Sequence, residues 1–365
     1  MEHSDQLYQI AFTQLYGIGP IRARRILKLL KHPRDFFELN YNALQQLTSI
    51  PIAQLEKTDR TNALWRAQGQ LPYLANENLS YHFITDPTYP ERLRHCSDAP
   101  LGLFYRGSEP SWHQPRCIAV VGTRQQTAYG QQLVEALLAD LPKDIVVISG
   151  LALGVDANVH EQCLQQQLQT IGVLGHGIDR IYPASNRNLA QQMLKHGGLL
   201  SEFLIGTKPD RMHFPMRNRI IAGLADAVVV IESNKNGGSL ITAELGNDYN
   251  REVFAFPGPI NQAQSEGCHA LIKNQQAHLL TSAQDLLQTM NWTDAQQETT
   301  LRQQPIYSGL QKEILDHFKN KNNWSIDELA LSTKNAVSQI SSTLFELELD
   351  GALQNIGANR YRLPL

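Results

Sequence analysis

Six short apolar runs rich in β-branched residues punctuate the middle of the chain, and each gives way to a small or charged residue and then a helical pattern. They are Ile118–Val121 before Gly122-Thr123-Arg124, Ile145–Ile148 before Ser149-Gly150, and Ile171–Leu174 before Gly175-His176-Gly177. The other three are Leu199-Leu200 before Ser201-Glu202, Val228–Ile231 before Glu232-Ser233, and Val253–Phe256 before Pro257-Gly258. Strands alternating with helices at this spacing predict a parallel sheet. The strands of such a sheet all end on one edge, where ligands bind. Arg124, Ser149, Glu202, Lys235 and two glycine-rich turns, spread over more than a hundred residues, are therefore expected to converge on one site.

The flanks have different periods. Residues 1–75 read as a helical domain: Asp5–Leu15, Ile18–Leu30, and pieces around Phe36-Phe37 and Leu44–Leu47. A Pro- and Tyr-rich bridge, Leu71–Arg106, leads to a short strand at Leu103–Arg106, and the alternating segment runs from about Pro115 to about Met290 within a domain of 76–290. Residues 291–305 are polar, glutamine-rich and aperiodic, as in a linker. Residues 306–365 predict a helix from Ser308 to Phe318, a second capped by Ser325, and a third capped near Ser332 or Thr333 and stopping at Gly351. Ala352–Ile356 and Tyr361–Leu363 then read as a hairpin. Three helices and a hairpin make a winged helix, with Lys334, Asn335, Ser338, Gln339 and Ser342 exposed on the reading helix. Asp316, Asp327, Glu328, Glu346, Glu348 and Asp350 make that module acidic, so protein contact and weak DNA binding both remain open for it.

At 365 residues, 42% hydrophobic and 18% charged, the composition is that of a globular protein of two or three domains. No apolar run reaches the roughly 20 residues of a membrane helix, and the polar, acidic N-terminus is unlike a signal peptide. Cys96, Cys117, Cys163 and Cys268 lie far apart without a C-x-x-C pair, which disfavours disulfides or a zinc site and fits a reducing cytosol. A net charge of −3 exerts no global pull on nucleic acid. A polyanion would have to be held by a local basic pocket.

Two turns offer such a pocket. Gly122-Thr123-Arg124 follows a strand and precedes the helical pattern Tyr129–Asp140, so backbone N–H groups at a helix start and a bidentate guanidinium can meet an anion. A tight turn with a solvent-exposed arginine is the plainer alternative. Asn236-Gly237-Gly238-Ser239 opens the helical pattern Leu240–Tyr249, with Lys235 beside a glycine nest or Ser239 acting merely as the N-cap. Arg217-Asn218-Arg219, read as a helix start, would add positive charge or form salt bridges to Glu202 or Glu232. Asp156, Glu202, Glu232 and Glu244 suggest acid/base chemistry only weakly, since no catalytic triad order, H-E-x-x-H, Walker lysine or metal-ligand spacing accompanies them. His160, His176 and His213 read as structural. Near the start, Gly17-Ile18-Gly19 before a helix carrying Arg22, Arg24, Arg25 and Lys28 is a helix-hairpin-helix signal, which holds nucleic-acid phosphates or serves packing alone.

Taken together, V-V-G-T-R with Y-G (120–130), I-S-G-L-A-L-G-V-D (148–156), G-x-G-I-D-x-I-Y-P (175–183), S-E-F (201–203), F-P-M-R-N-R-I-I-A-G-L (214–224), G-G-S-L-I-T-A (237–243) and F-A-F-P-G (254–258) resemble the DNA-processing protein A (DprA/Smf) family. The resemblance runs from about Tyr81 to Met290. It implies a Rossmann-like parallel-sheet core with a helical, helix-hairpin-helix or SAM-like N-terminal domain and a C-terminal winged helix. It also implies a bacterial cytoplasmic homodimer that binds single-stranded DNA and loads the RecA recombinase during natural transformation, without cofactor or catalytic step. By position it assigns DNA binding to Gly122, Thr123, Arg124, Ser149, Gly150, Lys235, Gly237, Gly238 and Ser239, and the charge of Arg217 and Arg219 adds those two to the expected DNA-binding set. The family usually has asparagine where His269 stands and a glycine where Gln276 precedes Ala277. The alternative is a nucleotide phosphoribohydrolase of the lysine-decarboxylase-like family, whose G-G-x-G-T-x-x-E aligns with Gly237, Gly238 and Glu244. Leu240 and Ile241 replace its phosphate-cradling Gly-Thr and would fill a nucleotide pocket.

Overall fold

The central apolar runs form strands that are covered on both faces, which is why they read as continuous rather than alternating. In the computed structural model, β3 (Arg116–Val121), β4 (Ile145–Ser149), β5 (Thr170–Val173) and β7 (Ala227–Val230) are buried along nearly their whole length. The structure describes residues 3–75, 79–293, 307, 309–318, 321, 323–350, 352–357 and 359–363. The proposed linker from 294 onward, the Ser308 cap and the Gly351 stop lie outside these residues. The chain divides into two units, 1–291 and 292–365.

In the first unit, β1 (Ser80–Phe83), β2 (Gly102–Gly107), β6 (Gly197–Ser201), β8 (Glu252–Ala255) and β9 (His278–Leu279) complete a nine-stranded sheet of order β1-β2-β6-β5-β4-β3-β7-β8-β9. From β6 across to β9 every neighbour is parallel, while β1 and β2 add an antiparallel edge. The sequence pattern leaves β1 and β9 unmarked. Ser80-Tyr81-His82-Phe83 has no apolar run, and the two residues of β9 are both exposed. The helices Ala128–Ala139 and Val155–Gln165 pack against each other, as do His213–Leu224 and Gly238–Asp248. The N-terminal helices, among them His3–Thr13, Pro20–Leu29 and Arg60–Gln68, bury Ile10, Phe12, Phe36, Leu44 and Leu55 in a core continuous with that of the sheet. Arg24 helps lock this region down by donating to the carbonyls of Arg94 (2.8 Å) and Cys96. All four cysteines are free and buried.

His160 sits wholly inside this unit, its Nδ1 2.7 Å from Thr170 Oγ1. Burial, aided by the Arg217 charge, lowers its pKa to about 3. His82 is lowered to about 4 by burial and by His113. The unfolded chain protonates both near pH 6.5, whereas the folded chain resists, so stability falls as pH drops through the range between those values. The slope is about 1.4 kcal/mol per pH unit for each histidine. The melting temperature at about pH 5 is expected well below that at about pH 7.5, and a flat profile would contradict the buried neutral assignment.

In the second unit, the helices Gly309–Phe318, Ile326–Thr333 and Val337–Leu349 enclose Ile314, Phe318, Leu329, Ile340, Leu344 and Leu347. Ser325 and Glu328 form a reciprocal capping box. The third helix is not capped by Ser332 or Thr333. Both hydroxyls donate back to the Leu329 carbonyl inside the second helix, Lys334 ends that helix in the left-handed region (φ 57°), and Ala336 takes the N-cap position. The hairpin strands β11 (Gln354–Asn355) and β12 (Arg360–Arg362) are joined by β10 (Trp324–Ser325), which pairs with β12.

Candidate functional site

The order of the parallel strands reverses direction at β3. β4 to β6 follow on one side and β7 to β9 on the other. Right-handed crossovers then send the helices after β3 and β7 to opposite faces, leaving a crevice between the two departing loops. Backbone pairing persists just beyond the strands, with Ile231 N–H donating to Val121 O (3.0 Å) and Thr123 N–H to Glu232 O (2.8 Å). After those bonds the loops part, and a cleft of about 610 Å³ opens.

Seven of the expected site residues line the cleft: Gly122, Thr123, Arg124, Arg217, Gly237, Gly238 and Ser239. Gly154 shapes the wall behind them. Its φ of +76° suits glycine, and a Cβ there would lie 2.4 Å from the Thr123 carbonyl oxygen. The Arg124 side chain is exposed, and its guanidinium lies 5.3 Å from the centre of the Phe214 ring. Lys235 is exposed on the loop after β7 but is not part of the cleft lining. Gly150 lines a small neighbouring pocket with Arg124 and Phe214. Ser149 is fully buried and its hydroxyl donates to Val120 O (2.7 Å), so it serves the sheet.

The two helix starts at the crevice differ in a way the sequence hides. That of Ala128–Ala139, expected to offer free N–H groups, is already occupied. The buried Glu232 carboxylate accepts from Thr127 N–H (3.0 Å) and Thr127 Oγ1 (2.5 Å), and Thr127 Oγ1 in turn accepts from Gly130 N–H (3.1 Å). Glu232 is thus the anion of that terminus. The start of Gly238–Asp248 has no side-chain cap: Gly237, not Ser239, is the N-cap residue, and the Ser239 hydroxyl donates to Ser233 Oγ (2.8 Å). This terminus opens on the cleft, and the carboxylate among the cleft's lining residues, Asp156, is buried and interacts with Arg217.

Arg217 lies within the helix His213–Leu224 rather than at its start and is 4% exposed. Its Nη1 donates to Gly150 O (2.6 Å) and to Val173 O, tying together the ends of β4 and β5. A Cβ on Gly150 would stand 2.5 Å from this guanidinium. Burial lowers the Arg217 pKa to about 10, and the Asp156 charge opposes that shift. Burial also raises the pKa of Asp156, against the pull of Arg217 and the Ala152 N–H. Arg219 lies outside the cleft, donating to Asp98 O (2.9 Å) and pairing closely with Glu202. The positive triplet therefore resolves into one buried scaffold arginine and one ion pair. The candidate carboxylates Glu202 and Glu232 are committed to these partners.

Sequence reasoning gave no site role to Arg211, Tyr182, Phe214 and Asn234, all in the cleft wall, where Asn218 of the positive triplet also lies. Arg211 is exposed, and Tyr182 and Phe214 pack with ring centres 5.9 Å apart. The available signal was the interleaving of basic and aromatic residues in Lys208-Pro209-Asp210-Arg211-Met212-His213-Phe214. His213 stacks on Phe203 at 4.3 Å and His176 Nδ1 meets Gly177 O at 3.0 Å, both in packing roles. His269, where the family favours asparagine, pairs its ring nitrogen with Gly258 O at 2.9 Å. In the N-terminal hairpin, Gly17 (φ 72°) and Gly19 stand in open space and Arg22, Arg25 and Lys28 are exposed. Among the described residues no group of three or more His, Cys, Asp or Glu is arranged to hold a metal, and no helix is long and apolar enough to cross a membrane.

Comparison with known proteins follows the same division. The family described as DNA recombination-mediator protein A matches residues 80–291, and a DprA winged helix domain matches 297–357. Protein Smf of Synechocystis is 34% identical over 294 residues, covering 80% of this chain and 74% of its own. The crystal structure of DprA from Streptococcus pneumoniae superposes with a TM-score of 0.66 at 33% identity, over 77% of this chain and 97% of that one. A structure of DNA processing protein A from Helicobacter pylori, determined to explain its single-stranded DNA binding mode, superposes with a TM-score of 0.53 at 29% identity, over 58% of this chain and 95% of that one.

Proposed function

This chain belongs to the DNA recombination-mediator protein A family, and from that premise we propose that it binds single-stranded DNA in the β3–β7 cleft and delivers it to a RecA-type recombinase during natural transformation. The observation that carries the reading is the uncapped start of Gly238–Asp248 facing Arg124 and Arg211 across one cleft. Backbone N–H groups and guanidinium forks recognise phosphate without reading bases, so sequence preference is weak. The Tyr182–Phe214 pair in the same wall offers faces on which unpaired bases stack, favouring a single strand over a duplex. Because the net charge is −3, binding relies on this local pocket. A homodimer, placing two such pockets on one strand, strengthens it through effective concentration. The protein works in the cytoplasm without cofactor or chemical step. Glu202 and Glu232 are engaged structurally, and Ile241 projects into the cleft where hydrolase relatives need a small residue.

The mediator role is tested with recombinase and single-stranded DNA coated by a binding protein. The chain is expected to stimulate filament formation there and to release no base from nucleoside monophosphates. Absence of stimulation, or base release above background, contradicts the proposal. The acidic winged helix is expected to be dispensable for the cleft itself. A chain ending near Met290, just before the boundary between the two units, should keep its single-strand affinity within a few-fold. A loss on the order of a hundredfold would place the second unit in the phosphate site.

A further inference from the structure

We infer that the groove between the N-terminal helix Arg60–Gln68 and the loop after β6 is a second contact for the same single strand, stacking a base on Trp65 and holding a phosphate with Arg66. This rests on the cleft reading above. The groove measures about 570 Å³ and is lined by Trp65, Arg66, Gln70, Leu204, Ile205 and Thr207. The helix Arg60–Gln68 buries Ala63 and Ala67 and leaves Trp65 72% exposed. Arg66 is also exposed, and among the described residues its guanidinium has no acceptor.

The walls are fixed rather than loose. Gln70 is buried, and its side-chain oxygen accepts from Ile205 N–H at 2.8 Å, clamping the helical region to the loop. A bare tryptophan face beside a free guanidinium is the pairing used to hold single strands, because every base offers a π-face and every linkage a charge. The same loop leads directly to the cleft. Thr207 lines the groove and Arg211 lines the cleft, and a chain of four residues spans at most about 14 Å. Lys208, exposed and without a partner among the described residues, lies between them. A strand leaving the cleft past Arg211 thus meets Lys208, Arg66 and Trp65 in turn.

The test compares oligothymidylates of about 6 and about 20 nucleotides, short enough to fill only the cleft and long enough to reach the groove, on the full chain and its variants. Trp65→Ala is expected to bind the short oligonucleotide like the parent and the long one roughly tenfold more weakly. Trp65→Phe should restore most of the loss, since a phenyl ring still stacks. Arg66→Ala should make the salt dependence shallower by about 0.7 in log–log slope with the long oligonucleotide only. Quenching of tryptophan fluorescence by the long oligonucleotide should shrink in Trp65→Ala, whose melting temperature should stay at the parent value. Equal affinity of Trp65→Ala and parent at both lengths, or an equal loss at both, overturns the inference while leaving the cleft reading standing. If the parent binds neither length, both readings fail together.

Discussion

Arg124→Ala lowers the affinity of the full chain for single-stranded DNA by roughly 10- to 100-fold and leaves its thermal unfolding unchanged. The side chain is exposed near a strand end, its guanidinium lies 5.3 Å from the centre of the Phe214 ring, and it forms no part of the apolar core, so packing loses almost nothing. What disappears is a charge-assisted contact worth about 1.5–3 kcal/mol when it engages a phosphate. Arg124→Lys should bind more weakly than the parent as well, because an ammonium cannot form the guanidinium fork or lie as flat on an aromatic face. Titration by fluorescence anisotropy beside a melting curve separates the two properties. Parent-like affinity in a normally folded Arg124→Ala protein would move the phosphate site elsewhere.

Arg217→Met is expected to be the most destabilising change at the same crevice, by about 3–5 kcal/mol, because it removes one member of a buried charged network. The carbonyls of Gly150 and Val173 lose their donor. Asp156, 8% exposed, loses the charge that favours its ionised form. Adding Asp156→Asn should recover part of the loss, since the second change removes the carboxylate left without compensation. Urea denaturation measures both. A loss below about 1 kcal/mol for Arg217→Met would show that solvent reaches the site and that Arg217 belongs with the DNA-facing residues.

These two arginines show how far the sequence could be read. The six apolar runs mark the strands because burial on both faces demands uninterrupted apolar character, and the shared edge of a parallel sheet then brings Arg124 and the Gly237-Gly238 turn together. What a run of letters cannot display is which partner a charge finds across the fold. Arg217 meets Gly150, 67 positions away, and Glu232 caps a helix at Thr127, 105 positions away. So a positive triplet reads like a binding patch although Arg217 holds strand ends and Arg219 pairs with Glu202. Likewise, the helix start after Gly122-Thr123-Arg124 reads as having N–H groups to spare, whereas Glu232 already fills that anion position. Arg211 and Phe214 escaped notice for the opposite reason. Arg211 lies on an irregular segment with no period and Phe214 in the first turn of the helix His213–Leu224, and only the fold turns both into the cleft.

The claim that the cleft holds a single strand by its phosphates is tested most directly by a salt titration of the full chain, and of Arg124→Ala, on single-stranded and duplex oligonucleotides of equal length. The account predicts that the parent prefers the single strand and that log affinity falls linearly with log salt, by about 0.7 per neutralised phosphate. It predicts a shallower slope for Arg124→Ala. An affinity indifferent to salt, a preference for duplex, or parallel slopes for the two proteins would contradict it.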